Sequence, residues 1–451
     1  MKIQKQVPLT EGPILKSLTG LGVPIMISSF LGTLYNITDM AWIGLLGSKA
    51  VAAVGVGGMY VWLSQGLASL ARMGGQVHVA QCLGRGDKEQ AHRYAKTAVQ
   101  LSILLGLAFA AVSLLFTDLL VGFFKLEGVK TILDAKIYMR ITCGLILFSF
   151  LNLTLTGLYT AQGDSKTPFV ANFIGLLINL LLDPLLILGV GPFPRIEVAG
   201  AAVATVSAQL VVMLVMMVGV FRSKKEENVL KGIRLFEPFS KEELGNICKI
   251  GGPTAIQGMV YCMISMVLTR MVAAFGAEAI ATQRVGGQIE SVSWNTADGF
   301  AAALNAFVGQ NYGAKKMDRV QKGYRISFWT VAIWGALIML AFIIFPGPIA
   351  RVFFHEEKAM EIAISYLIII GFSEAFMCVE LMTIGALSGL GKTKLCSVIS
   401  ITATSMRIPL AMVLSRTSLG LDGIWWALTL TSVAKGIIFY LTFRYQMREK
   451  C

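Results

Sequence analysis

Charge is scarce in this 451-residue chain: Asp, Glu, Lys and Arg together make up 14% of it, where soluble domains carry about a quarter. With a mean hydropathy of +0.69, that shortage excludes a water-soluble globular fold. Histidine is scarcer still, and His78, His92 and His355 are scattered without metal-ligand spacing. No G-x-x-x-x-G-K-[ST] run is present to cradle ATP, so neither enzyme chemistry nor direct ATP drive is expected, and no cofactor is implied. The seven cysteines form no C-x-x-C pair, which removes a disulfide framework and a thiolate metal site. Missing too is the ten-residue alternation of a transmembrane barrel. A cleaved leader is not expected: the first 17 residues are polar, with Lys2, Lys5 and Lys16, and the apolar segment after them is too long for one.

What is abundant is apolar length. Hydrophobic residues make up 55% of the chain, and runs of roughly 20 residues or more recur along all of it, which predicts an all-α integral membrane protein. Twelve spans are expected, at 18–45, 52–82, 92–117, 132–158, 167–190, 198–221, 246–274, 280–312, 318–345, 360–386, 394–415 and 423–443. The formal charge of +13 invites a nucleic-acid reading, but position argues otherwise. With the N-terminal tail on the cytoplasmic side, 25 of the 39 Lys and Arg residues fall in cytoplasmic segments and 10 in outer loops. That is the positive-inside bias, with both termini cytoplasmic. The basic charge sets orientation in a cell inner (plasma) membrane, and no nucleic-acid partner is expected.

The chain also repeats itself. Near an offset of 229, Pro24 falls on Pro253, Gly47 on Gly276, Val56-Gly57-Gly58 on Val285-Gly286-Gly287, and Gln81 on Gln310; at 228, "GDSKT" (163–167) falls on "GKTKL" (391–395). Two six-helix halves follow, 1–221 and 246–451, joined by a charged cytoplasmic linker, 222–245. Six helices bring the chain back to its starting side, so the halves are parallel and related by a pseudo-two-fold axis along the membrane normal. Duplicated halves of this kind are transporter architecture.

Ionisable residues inside spans need a partner or a cavity. Asp39, in "LYNITDMAWIG" (34–44), lies roughly 10 Å inside the outer end of its helix. Asn179 and Asp183 in "INLLLDP" are spaced i,i+4 and share one helix face. Thr205 on helix six lies at similar depth. These four oxygen-bearing side chains make a candidate proton or sodium site, and Pro184 adds a carbonyl, Leu180's, without its helical donor. The other reading is that they only hydrogen-bond helices together. Asp39 falls on Leu268, Asn179 on Arg407 and Asp183 on Ala411, so the second half is not a polar copy of the first. That half instead carries Gln257 and Tyr261 on helix seven, Arg284, Glu290 and Asp298 on helix eight, and Glu374 and Glu380 on helix ten. Helix seven also presents Met259, Met263 and Met266, an adaptable thioether stripe that suits varied apolar ligands and equally serves ordinary packing.

Taken in order, "YNITDMAWIG", "GQVHVAQCLGRGD" with its partner "FVGQNYGAKK", "GLYTAQGDSKTP", "INLLLDPLLI" and "AGAAVATVSAQ" resemble the multidrug and toxic compound extrusion (MATE) family over nearly the whole chain. The resemblance implies two lobes around a V-shaped cavity and efflux of small organic cations in exchange for H⁺ or Na⁺, by a monomer whose other partner is membrane lipid. Its DinF-like branch matches best: the cation-coordinating positions fall on Asp39, Asn179, Asp183 and Thr205, and a helix-bending proline on Pro24. In the NorM-like branch a helix-seven glutamate and a helix-ten aspartate bind the ion; here those positions hold Tyr261 and Met377. Candidates for substrate contact are Tyr35, Asn36, Gln257, Met259, Tyr261, Met263, Glu374 and Glu380. A lipid-linked precursor flippase of the same superfamily is the alternative, and would need Arg and Lys, such as Arg72, Arg140, Arg284, Arg407 and Lys435, turned toward a diphosphate.

Overall fold

A computed structural model describes residues 7–124, 126, 128–189, 194–223, 228–235, 237–238, 240–353 and 357–448. Among these no residue is in a strand. The helices are α1 (Ile14–Gly44), α2 (Ser48–Arg85), α3 (Lys88–Leu115), α4 (Thr117–Gly122), α5 (Val129–Gly144), α6 (Leu147–Ala161), α7 (Lys166–Ile187) and α8 (Glu197–Arg222). The second half holds α9 (Lys241–Ala273), α10 (Ala277–Gly313), α11 (Met317–Ile344), α12 (Pro346–Phe353), α13 (Glu357–Gly371), α14 (Glu374–Gly389), α15 (Thr393–Ser405), α16 (Arg407–Leu414) and α17 (Leu421–Arg448).

Nine of the described helices, counting α15 with α16 as one, are long and apolar enough to cross a membrane. Two more spans are bent pairs, α5 with α6 at 43° and α13 with α14 at 50°. The twelfth is α10, which is long but carries Arg284, Glu290 and Asp298. The expected single spans at 132–158 and 360–386 are therefore corrected to broken ones. No proline marks either break. Each first segment instead ends on a glycine, Gly144 or Gly371, where a Cβ would stand 3.2 Å from Leu114 or 3.1 Å from Phe342, so the bent backbone is closely packed by its neighbours. Non-helical backbone at such a depth is tolerated where protein surrounds it.

The duplication extends to small elements: the six-residue α4 precedes the broken pair in one half, and the eight-residue α12 precedes it in the other. It extends to turns as well. After α2, Gly86 adopts φ 81° and the Asp87 N–H donates to the Cys82 carbonyl; after α10, Lys315 adopts φ 60° and the Lys316 N–H donates to Asn311. Both are left-handed helix stops of the kind glycine favours, and the second is made with a lysine.

The chain divides into two compact units. One comprises Met1–Val7 and Ile27–Gly258, the other Pro8–Met26 and Met259–Cys451. Helix α1 thus passes from one unit to the other two residues after Pro24, and α9 does the same five residues after Pro253. In the first unit Gly251 packs against the backbone of Leu70 and Gly74 against Ile247; in the second, Gly299 packs against Met26. The start of α1 in the second unit is tied down by Asn311, whose amide donates to the Leu9 carbonyl at 2.9 Å, and by Arg319, which donates to Glu11 at 2.7 Å. Of the charged linker, residues 224–227, 236 and 239 lie outside the described residues. The rest docks on the first unit: Gln100 donates to the carbonyls of Leu235 and Glu237, and Lys96 pairs with Glu237 at 2.7 Å.

Candidate functional site

The ends of α1 and α7 and the start of α8 meet at one level in the first unit, in an apolar cluster that includes Ile43, Ile187, Val198, Ala201 and Ala202 with Trp42, Leu46 and Leu188. Four residues back from Ile43 is Asp39; four back from Ile187 is Asp183; four on from Ala201 is Thr205. One helical turn is about 5.4 Å, so these polar groups share a single layer directly beneath the apolar cap. Asp39 is 7% exposed, Asn179 1% and Asp183 0%. The Asn179 amide donates to Asp183 Oδ1 at 3.2 Å, as the i,i+4 spacing requires. Asp39 and Asp183 lie within each other's electrostatic range, and Tyr35 sits beside Thr205 and within range of both acids.

The layer has more acceptors than protein donors. Asp39 Oδ1, Asn179 Oδ1 and Asp183 Oδ2 are buried without a hydrogen-bond partner, and the buried Tyr35 and Thr205 hydroxyls have none besides each other. Buried polar atoms are normally satisfied, and a set of converging oxygens in this condition fits a proton or a small monovalent cation. Among the described residues no trio of His, Cys, Asp and Glu is close enough to hold a metal ion, so a bound sodium would need the amide and hydroxyl oxygens as well as the two carboxylates. Toward the loop end, Lys130 at 2.8 Å and Arg195 at 3.4 Å converge on Glu197. The hydrogen bond from Lys130 holds that carboxyl below the usual range.

Tyr138 on α5 belongs to the layer and was not singled out by sequence reasoning. It is 6% exposed and within range of Asp39 and Asp183. Its ring lies on Gly57 of α2, where a Cβ would stand 2.5 Å from Cδ1. The second half repeats the arrangement, with the ring of Tyr366 on Gly286 in even closer approach. The Gly57–Gly286 match was visible in the repeat; a search for aromatic residues at offset 228 would have paired Tyr138 with Tyr366.

The remaining expected contacts are dispersed. Tyr35 joins the layer, whereas Asn36 is exposed. Gln257 and Met259 on α9 are half-buried, and Tyr261 and Met263 are exposed on the same helix. Pro24 stands inside α1, which continues through it. Glu374 and Glu380 do not come together: Glu380 pairs with Lys435 at 2.8 Å, both 6% exposed, while Glu374 is fully buried in the first turn of α14. Arg407 donates to Thr431 at 3.0 Å and to Ser432 at 2.9 Å.

Comparison with known proteins adds an independent line. The MatE family model matches residues 24–185 and again 253–413, two stretches in the register of the internal repeat. A Thermotoga maritima protein described as a probable multidrug resistance protein NorM is 29% identical over 98% of this chain and 96% of its own length. A Shewanella oneidensis FAD transporter is 25% identical over 96% and 95%. An outward-facing structure of a multidrug resistance MATE family transporter of the MOP superfamily superimposes with a TM-score of 0.91, covering 100% of this chain and 99% of that one at 24% identity.

Proposed function

The chain belongs to the MatE family, and from that premise we propose that it is a secondary active multidrug exporter, exchanging amphipathic organic cations for H⁺ or Na⁺ through Asp39, Asn179, Asp183 and Thr205. The observation that carries this reading is the layer of buried oxygens contributed by α1, α7 and α8, in which Asp39, Asn179 and Asp183 each keep an unpartnered oxygen. It works as a multi-pass monomer in the plasma membrane, both termini cytoplasmic, and similarity to the Thermotoga protein described as a probable multidrug resistance protein supports the substrate class.

A carboxylate in this layer requires either a cation or water. Capture of an ion removes that requirement and favours closer packing of α1 on α7 and α8. The movement is taken up near Pro24, which lacks an N–H and weakens the helix at that point; α1 changes compact unit two residues later. Substrate affinity and ion occupancy are then linked, each altering the other by the same factor. Alternating access follows from that reciprocity, the ion entering from the outer side and leaving to the cytoplasm.

The flippase alternative and an FAD-like substrate both call for cationic side chains offered to phosphates. Of the five basic candidates, Arg407 and Lys435 are committed instead to Thr431, Ser432 and Glu380, which removes two of them from a phosphate. Ethidium efflux from proteoliposomes under an imposed H⁺ gradient, and separately under a Na⁺ gradient, tests the proposal. Efflux driven by one gradient is expected; no efflux under either would overturn antiport and raise the flippase reading.

A further inference from the structure

The opening turns of α3 and α11 are repeat partners with different surroundings. On α3, Lys96 pairs with Glu237 of the linker at 2.7 Å, Gln100 donates to the linker carbonyls of Leu235 and Glu237, and Arg93 faces Glu243 at 3.9 Å. An offset of 229 carries Arg93, Lys96 and Gln100 onto Lys322, Arg325 and Trp329 of α11. There no acid answers the cations: among the described residues Lys322 and Arg325 form no ion pair. All three side chains are exposed, Trp329 by 58%.

A second helix brings further cations to the same place. The ring of Tyr324 on α11 stacks on that of Phe443 on α17 with centroids 3.6 Å apart, and Phe328 lies 5.1 Å from Tyr440. Tyr324 is near the start of α11 and Phe443 near the end of α17, so the two helices run antiparallel at this seam. In antiparallel neighbours the residue after each facing position is turned by about 100° to the same side. Arg325 follows Tyr324 and Arg444 follows Phe443, so both arginines stand on one side of the seam. Trp329 and Arg448, one turn further along each helix, join them there. The Arg444 guanidinium lies over the Tyr440 ring at 5.9 Å, and Trp329 meets Phe328 edge-on at 5.5 Å. The acid on this face is Asp318 in the first turn of α11, and it forms no ion pair either.

Beyond the cations the same face turns apolar. Ile333 and Leu337 follow Trp329 at i+4 spacing, 58% and 56% exposed, and Leu441 on α17 is 56% exposed. From Trp329 to the exposed Leu340 the rise is about 16 Å, close to half of a hydrocarbon core of about 30 Å. A ligand that matches has an anionic head and an apolar body one leaflet deep.

We propose that the α11–α17 seam of the second unit is a binding surface for an anionic phospholipid. Its phosphate is met by Lys322, Arg325, Arg444 and Arg448, Trp329 sits at the level of the glycerol, and the acyl chains run along Ile333, Leu337 and Leu441. Lipid phosphate thus does in the second half what Glu237 and Glu243 do in the first. The orientation proposed above, with both termini cytoplasmic, serves only to assign this lipid to the cytoplasmic leaflet, and the surface is independent of which ion or substrate is transported.

Lipid titration of the purified protein in detergent, with bound lipid counted by native mass spectrometry, tests the assignment. Dioleoylphosphatidylglycerol is the probe, dioleoylphosphatidylcholine the zwitterionic comparison, and glycerol 3-phosphate the headgroup without tails. Each Lys or Arg beside an anionic membrane surface is worth about fivefold in affinity. The wild type is expected to prefer phosphatidylglycerol, and Arg325→Gln with Arg444→Gln to weaken that lipid about thirtyfold while leaving phosphatidylcholine unchanged. Lys96→Gln, at the repeat counterpart of Arg325, should change neither. If the double variant melts early without lipid, Lys322→Gln with Arg448→Gln makes the same test. Equal retention of the two lipids by the wild type, or undiminished phosphatidylglycerol binding in the variants, overturns the proposal. So does displacement of the lipid by an equal concentration of glycerol 3-phosphate, which would mark a site for soluble phosphate instead.

Discussion

The two halves of the molecule share a scaffold and disagree about where acids belong. In the first, Asp39 and Asp183 lie beneath an apolar cap; their repeat partners Leu268 and Ala411 belong to an apolar cluster with Ile264, Val272, Ala279, Ile424 and Ala427. In the second, Glu374 and Glu290 occupy the break of the bent span and the helix beside it, where the first half has Ile146 and Val61. Meanwhile the tyrosine on its glycine is kept in both. Backbone geometry, with its broken fourth and tenth spans and close glycine contacts, is thus common property, and the buried acids are placed on it differently in each half. At the position of Asn179, which steadies Asp183, the other half has Arg407, at a break between α15 and α16 that α7 lacks.

This contrast can be broken or sharpened by substitution. Writing the first half's acid into the second, Leu268→Asp, should be the most damaging change, because its cluster offers no polar partner: a loss of about 3 kcal/mol or more, seen as a collapse of thermal stability in detergent. Filling the tyrosine seat should act alike in both halves. Gly57→Ala and Gly286→Ala each force a ring off its support and are expected to cost about 1–3 kcal/mol, read as matched drops in melting temperature; a harmless Gly286→Ala would break the symmetry argued here. Asn179→Ala removes one charge-assisted hydrogen bond from the layer and should weaken ion binding by about tenfold, the equivalent of about 1.4 kcal/mol, as measured by the ion dependence of efflux. The smallest effect belongs to Lys315→Gly, which gives the second half the turn residue the first already has at Gly86 and should raise stability by about 1 kcal/mol.

Much of this contrast was legible in the sequence, for definable reasons. An aspartate in a lipid-length apolar run stands out by chemistry alone, and an i,i+4 amide and acid can be placed on one helix face without coordinates. The repeat exposed the divergence at Leu268, Arg407 and Ala411. What could not be read were features that depend on partners distant in sequence. The bends at Gly144 and Gly371 carry no proline, and an apolar run looks the same whether straight or broken. Tyr138 looks like any interfacial aromatic until Gly57 is seen beneath it. Lys435 and Glu380, 55 residues apart, gave no local sign that they neutralise each other.

The central claim is that ion occupancy of the Asp39 layer is thermodynamically linked to substrate affinity. The direct measurement is ethidium affinity for the purified protein at high and low H⁺, and at high and low Na⁺, in wild type and Asp39→Asn. Wild-type affinity is expected to fall as the coupling ion rises, while Asp39→Asn, carrying a permanently neutral side chain, holds one affinity throughout. An Asp39→Asn protein whose affinity responds to the ion as the wild type's does would contradict the account.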